Sequence, residues 1–309
     1  MDFNASVVLL DDGGVASATA RGALMGRQKS LGNTVVVGDV VGLEWLGGGS
    51  ETRPTIVMVE PRKSVFSRRA SGREPAEQVV AGNVDEVAVV AALADPAFKP
   101  GLVDRIFAQC VHQELPARLV LNKIDVGDRD EAAAILAAYA RAGFGGALVS
   151  ARTGEGVGAL RSTLRGRCTL FAGHSGVGKS SLLNALEPGF ELLAGQVNEK
   201  TGKGRHTTTA VTLLRPEPDI ELIDTPGVRA FGLWGIEPES LERAWPELAP
   251  YLGHCRFGDC THVSEPGCAV RAAVADGHVA TRRYESFLKL RDELAQEREL
   301  ERARARGRP

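Results

Sequence analysis

The chain has no long apolar run, no strong charge of either sign and few aromatic rings, and each absence removes a class of function. No segment of its 309 residues approaches the roughly twenty consecutive apolar residues that cross a membrane. At the start, Met1-Asp2-Phe3-Asn4 leads only into the short apolar stretch Val7 to Leu10 before Asp11 and Asp12, with no basic stretch ahead of it as in a signal peptide. A cytosolic protein without a membrane partner is expected, its thiols reduced. Five cysteines, an odd number in a reducing compartment, favour metal ligands or buried thiols over a disulfide framework. A net charge of -2 gives no global attraction to nucleic acid, so any such binding has to come from local patches. With only 5% aromatic residues, few rings interleave the basic ones; Phe66 and Trp45 are the candidates for stacking.

What is present is 43% apolar content, enough for two or three compact domains. Basic residues cluster at Arg62, Lys63, Arg68, Arg69 and Arg73, and alternate at Arg302, Arg304, Arg306 and Arg308. Either cluster also reads as a solvated face or a solubilising tail. Residues 1–75 read as short strands punctuated by glycine: Val35 to Val37, Asp39 to Glu44, a Gly47-Gly48-Gly49 turn and Thr55 to Val59. This pattern suits a small β-barrel of the oligonucleotide-binding type, with RNA as its expected ligand. From about residue 80 the pattern becomes α/β. Strands Glu86 to Ala92, Arg118 to Leu121, Ala147 to Val149, Thr169 to Ala172 and Ile220 to Ile223 alternate with helical stretches at 102–113 and 130–142, which implies a mostly parallel sheet over 80–235. Residues 236–309 are helical and bear Cys and His, ending in a charged helix from about 281.

Gly173-His174-Ser175-Gly176-Val177-Gly178-Lys179-Ser180 follows an apolar strand and opens a helix, the context in which backbone N–H groups turn onto phosphates. Its glycines admit the anion closely, Lys179 reaches the β/γ oxygens, Ser180 offers a hydroxyl to Mg²⁺, and Ser181 continues the first turn. Asp224-Thr225-Pro226-Gly227 ends a second strand, where Asp224 can hold Mg²⁺ and Gly227 can give an N–H to the γ-phosphate. Between them, Gly204-Arg205-His206-Thr207-Thr208-Thr209 reads as a switch loop, with Thr208, or alternatively Thr207, completing the Mg²⁺ shell; the triple threonine also fits an edge strand leading into Val211 to Leu214. Asn122-Lys123-Ile124-Asp125 is a guanine-reading signature. The Asp125 carboxylate accepts from guanine N1–H and N2–H₂, donors that adenine lacks, Lys123 lies along the base, Asn122 braces the loop, and the Ser150-Ala151 backbone serves guanine O6. This signature stands upstream of the phosphate loop, the reverse of ordinary GTPase order, so the core is a rearranged P-loop fold.

Cys255-x4-Cys260-x-His262-x5-Cys268 supplies three thiolates and an imidazole within fourteen residues, enough for a closed tetrahedral zinc site. His254 is a competing ligand, while Cys110 and Cys168 read as small core residues.

Together these motifs resemble the circularly permuted GTPases that act on the bacterial small ribosomal subunit. The resemblance spans nearly the whole chain. It implies an oligonucleotide-binding amino-terminal domain, a permuted GTPase core and a zinc-binding helical domain, in a monomer that binds GTP and GDP with Mg²⁺, contacts the small subunit and its rRNA, assists late maturation and turns over faster when bound there. Val228, following Gly227 where many GTPases carry glutamine, cannot position water, and the resemblance points instead to His206 for that role. Two other classes use the same residues: an RNA-binding assembly scaffold with nucleotide only as a conformational ligand, and a P-loop ATPase or kinase.

Overall fold

The structure, a computed structural model, describes residues 5–21, 35–45, 53–72, 75–187, 211–227 and 231–306. The chain divides into two compact units, Met1–Val84 and Asp85–Pro309.

The first unit is made of strands. Strands β1 (Ala5–Leu9), β2 (Val15–Ala20), β3 (Val41–Glu44) and β4 (Thr55–Val59) form a sheet in the order β1-β2-β4-β3, with β2 and β4 parallel and the other pairs antiparallel. On β2, Ala16 and Ala18 face inward while Val15 and Ser17 are exposed, the two-residue alternation of a half-buried strand. Strands β5 (Val65–Arg69) and β6 (Glu77–Gly82) pair as an antiparallel ribbon, which carries the unit past the expected boundary near residue 75. The strand read at Val35 to Val37 is reduced to one bridge, Val37 to Ala81. Asp39 explains this: its carboxylate accepts from the Val36 amide at 2.8 Å and turns the chain, while Arg62 donates to the same carboxylate at 2.7 and 2.9 Å. The Gly47-Gly48-Gly49 turn and Arg73 lie outside the described residues.

The second unit is built on a six-stranded sheet ordered β11-β12-β10-β7-β8-β9. Its strands are β7 (Glu86–Ala92), β8 (Ala117–Asn122), β9 (Gly145–Leu148), β10 (Arg167–Gly173), β11 (Thr212–Glu217) and β12 (Ile220–Asp224). All pairs are parallel except the edge pair β11 and β12, joined by a tight turn at 218–219. Every residue of β7 is buried, as a strand covered on both faces requires. Its Ala88, Val90 and Ala92 join Leu160 and Leu164 of helix α3 (Val157–Leu164) and Leu182 and Leu183 of helix α4 (Lys179–Leu186) in one apolar core. By the strand's period, Val87, Val89 and Ala91 face the opposite side, where helices α1 (Pro100–His112) and α2 (Arg129–Arg141) belong. Proline opens α1, where its missing N–H costs nothing, and the Asp128 carboxylate caps α2 by accepting from the Asp130 amide at 2.8 Å.

The carboxy-terminal segment belongs to this same unit, without a packing break at residue 235. It comprises two 3-10 turns (Leu241–Ala244 and Pro246–Tyr251), helix α5 (Ala269–Ala275) and the long helix α6 (Thr281–Arg306). Arg283 of α6 is buried and donates to Asp104 of α1 at 2.5 Å and to Glu247 at 2.7 and 3.1 Å. Tyr139 of α2 donates to the same Asp104 at 2.8 Å, and the guanidinium lies over the Trp245, Tyr139 and Phe144 rings. Burial alone would lower the Arg283 pKa; the facing Asp104 and Glu247 carboxylates outweigh it and the net shift is upward. Nearer the chain end, Arg105 pairs with Glu293 and Arg298 with Glu239, so α6 is pinned along more than half its length.

Candidate nucleotide site and metal centre

Strand order reverses between β10 and β7, and the crevice at the carboxyl ends of such strands is where doubly wound sheets bind ligands. Gly173 ends β10 there; a Cβ on it would lie 2.1 Å from the Val90 carbonyl oxygen, so only glycine allows this approach. Gly178, with φ +89, leads into α4, and a Cβ there would meet Asn122 Nδ2 at 2.5 Å. No side chain caps the first turn of α4, which leaves its amides for an anion. Lys179 is buried and donates from Nζ to the Gly173 carbonyl at 3.1 Å. Desolvation lowers its pKa, opposed by the Asp224 carboxylate. Ser175, Gly176, Ser180 and Ser181 are exposed, and Val177 is buried under the loop.

The base-reading loop is tied to the phosphate loop through Asn122. Its Nδ2 donates to the Val177 carbonyl at 3.0 Å, and its Oδ1 accepts from the Ala151 amide at 3.0 Å. The Ala151 amide assigned to guanine O6 is thus engaged with Asn122. Lys123, held at φ +63, donates from Nζ to the Gly176 carbonyl at 2.9 Å and to the Asp95 carbonyl. Asp125 accepts from Ser150 Oγ at 2.5 Å and from Arg152 Nε at 2.7 Å. The Ser150 hydroxyl, and against a smaller desolvation the Arg152 guanidinium, hold this carboxyl below its ordinary value. Asp224 is buried at the end of β12, beside Phe171 of β10, and Thr225 Oγ1 donates to the Phe171 carbonyl at 2.7 Å. Gly227 approaches so closely that a Cβ on it would lie 2.8 Å from Ser175 Cα, which sets the Asp224 to Gly227 loop against the phosphate loop. His206, Thr207, Thr208 and Val228 lie outside the described residues.

Three contributors escaped the sequence reading. Lys99, before α1, donates to His174 Nε2 at 3.4 Å, leaving the His174 Nδ1 proton for the Ser175 carbonyl at 2.6 Å. Gln109 of α1, fully buried, donates to the Trp234 carbonyl at 3.1 Å and accepts from the Trp234 amide at 2.8 Å, fixing the chain a few residues beyond Gly227. Arg152 is the third. It stands directly after Ser150-Ala151, so its position was legible; the long-range partners of Lys99 and Gln109 had no local signal.

In the carboxy-terminal segment, ligand atoms of Cys255, Cys260, His262 and Cys268 all lie within 4.8 Å of one another. Cys255 and Cys268 sulfurs are 3.9 Å apart, and His262 Nδ1 is 3.5 and 3.4 Å from them. A tetrahedron of Zn–S bonds of about 2.3 Å separates its sulfurs by about 3.8 Å, so the donor set fits zinc. Glu242 faces the far nitrogen of His262 at 3.2 Å, the usual arrangement for holding a ligating imidazole in one tautomer. Glu265 organises the loop, accepting from the amides of Thr261 at 2.7 Å and of Val263 and Ser264 at 3.0 Å, while Tyr284 donates to the His262 carbonyl at 2.5 Å. His254 is exposed and outside the cluster. Cys110 of α1 and Cys168 of β10 are buried, and burial pushes the Cys168 thiol up to about 12.

A phosphate loop on the central strand, with an Asn-Lys-x-Asp loop two strands along that precedes it in the chain, defines a circularly permuted P-loop GTPase. The RsgA GTPase family model matches residues 59–234. The chain belongs to this family of GTP-hydrolysing enzymes. It is 43% identical to the small ribosomal subunit biogenesis GTPase RsgA of Gemmatimonas aurantiaca, over 93% of both chains. Against the protein of the same name from Chlorobaculum parvum it is 41% identical, over 85% of this chain and 86% of that one. Among solved structures it is similar to YjeQ from Thermotoga maritima, with a TM-score of 0.71, 30% identity and 96% of each chain covered. It is also similar to YloQ, a circularly permuted GTPase, with a TM-score of 0.69, 25% identity and coverage of 96% and 93%.

Proposed function

We propose that this GTPase acts in the cytosol, as a monomer, in late maturation of the small ribosomal subunit, binding its rRNA and hydrolysing GTP to GDP and phosphate faster when bound there. The names of the relatives support the partner. The observation that carries the site is Asn122: one side chain bonded to both the phosphate loop and the Ser150-Ala151 loop supports Asp125 and Lys179 serving a single nucleotide. The first unit, Met1–Val84, supplies the RNA-binding β-domain, and the second carries both the permuted GTPase core, up to about residue 235, and the zinc-bearing segment 236–309.

In this reading Asp125 selects guanine, Lys123 flanks the base, and the amides from Gly173 through Ser181 receive the phosphates. Lys179, already desolvated, exchanges the Gly173 carbonyl for phosphate oxygens, its charge acting at full strength where water is excluded. Ser180, Asp224 and Thr208 provide hard oxygen donors for Mg²⁺, which when bound neutralises charge on the β/γ oxygens. Gly227 gives its N–H to the γ-phosphate, and His206 orients or deprotonates the attacking water. One zinc ion held by Cys255, Cys260, His262 and Cys268 contributes folding energy to its loop.

The test is a GTPase assay with purified small subunits added, large subunits as control, and ATP as competitor. Stimulation by small subunits alone, with GTP preferred over ATP, is expected. Equal stimulation by both subunits, or none, removes the partner; ATP competing as well as GTP removes the role of Asp125. Unchanged subunit-stimulated turnover in His206→Ala at unchanged nucleotide affinity removes His206.

A further inference from the structure

The carboxylate assigned to guanine is already engaged, and by a group that imitates the base. Arg152 donates from Nε to Asp125 Oδ2 at 2.7 Å, with its Nη2 2.5 Å from the same oxygen, while Ser150 Oγ holds Oδ1 at 2.5 Å. A guanidinium presents N–H donors on two nitrogens bonded to one carbon. The N1–H and N2–H₂ edge of guanine is the same arrangement set in a ring, so both groups seek the same acceptor. We propose that Arg152 is an intramolecular placeholder on Asp125, displaced each time a guanine nucleotide binds and returning as it leaves, and that it thereby sets nucleotide affinity. The proposal rests on the guanine-reading role of Asp125 given above.

The surroundings suit an exchange that moves one side chain only. The Arg152 side chain is 72% exposed whereas that of Asp125 is 11% exposed, so the arginine can swing into water while the carboxylate stays. The loop backbone is fixed: the Ser150 amide donates to the Glu155 carbonyl and the Gly154 amide to the Ser150 carbonyl, both at 2.9 Å, and the Thr153 amide donates to Ser150 Oγ at 3.2 Å. Glu155, the other carboxylate on this loop, is taken by Arg129 through bonds of 2.8 and 2.7 Å, which leaves Arg152 to Asp125. Without nucleotide, the pair spares a largely buried carboxylate from standing uncompensated. An ion pair with one exposed partner is weak enough for the nucleotide to displace and strong enough to register as roughly a two- to fivefold effect.

Binding of a fluorescent GDP to the full chain decides it. Arg152→Ala is expected to bind GDP about two- to fivefold more tightly than wild type, chiefly through faster association, with the gap closing as salt rises because the competitor is ionic. Arg152→Lys, which keeps the charge but not the two-nitrogen fork, is expected to fall between them. Equal or weaker GDP binding by Arg152→Ala at every salt concentration overturns the proposal. Asp125→Ala, measured in parallel for GDP against ADP, separates the two ideas. Loss of guanine preference there with no gain in Arg152→Ala removes the placeholder alone, whereas retained preference removes the Asp125 assignment and the placeholder with it.

Discussion

At the nucleotide edge the loops of the described residues grow from the ends of buried strands, whereas between Cys255 and Cys268 no strand supports the chain. The first region is positioned by the sheet: Asn122, Gly173 and Asp224 are the final residues of β8, β10 and β12. The second is positioned by side chains, through Glu265 accepting three amides, Tyr284 holding the His262 carbonyl, and four ligand atoms clustered for a metal. A site at strand ends is preorganised by the core whether or not its ligand is present. A site on a bare loop exchanges that security for dependence on its ion. Between the two lies the Arg283 cluster, which joins α6 to α1 and α2 and puts both regions in one unit.

The largest effect should come from breaking that joint. Arg283→Met leaves the Asp104 and Glu247 carboxylates uncompensated in a buried setting, which should cost about 3–5 kcal/mol in a urea unfolding curve. A loss confined to α6, with the nucleotide site melting as before, would show the two regions to be independent. Next, Lys179→Ala should lower GTP turnover by about a hundredfold or more while the melting temperature holds, since the sheet and not the lysine shapes the loop. Removing the metal with a chelator should do the opposite: hydrogen-exchange protection should fall across 253–268 while GDP affinity stays unchanged. If protection there survives chelation, Glu265 and Tyr284 suffice and the contrast fails. Glu242→Gln should weaken zinc by about tenfold or somewhat more, read by competition with a chromophoric chelator, because the His262 imidazole loses its charged acceptor.

Much of this was legible in the sequence where chemistry is local. The phosphate loop, the Asn122 to Asp125 signature and the cysteine cluster each sit within a few residues, and their side-chain chemistry is set by residue type. The strands of the permuted core were visible as apolar runs, and the start of α6 near residue 281 as a change to charged periodicity. What escaped depends on partners far along the chain. Arg283 reads as one more charge on a charged helix, yet it meets Asp104 across 179 positions. Glu242 carries no mark of its role until the fold brings it to His262. Strands β1, β2, β5 and β6 carry too little contrast between large apolar and polar residues to stand out, as in β2, where the buried side chains are alanines; the edge strand leading into Val211 to Leu214 is present as β11, and only its pairing reveals that it runs antiparallel.

The place of β10 in the sheet bears on how the chain is made. It is bonded to β7 on one side and β12 on the other, yet β7, β8 and β9 all precede it in the chain. During synthesis from the amino terminus, the wholly buried β7 can gain β8 as a neighbour while its other edge stays open until residues 167–173 emerge. The nascent chain therefore carries an unprotected hydrophobic edge for the time it takes to make α1 through α3. Slowed translation in that interval should favour aggregation.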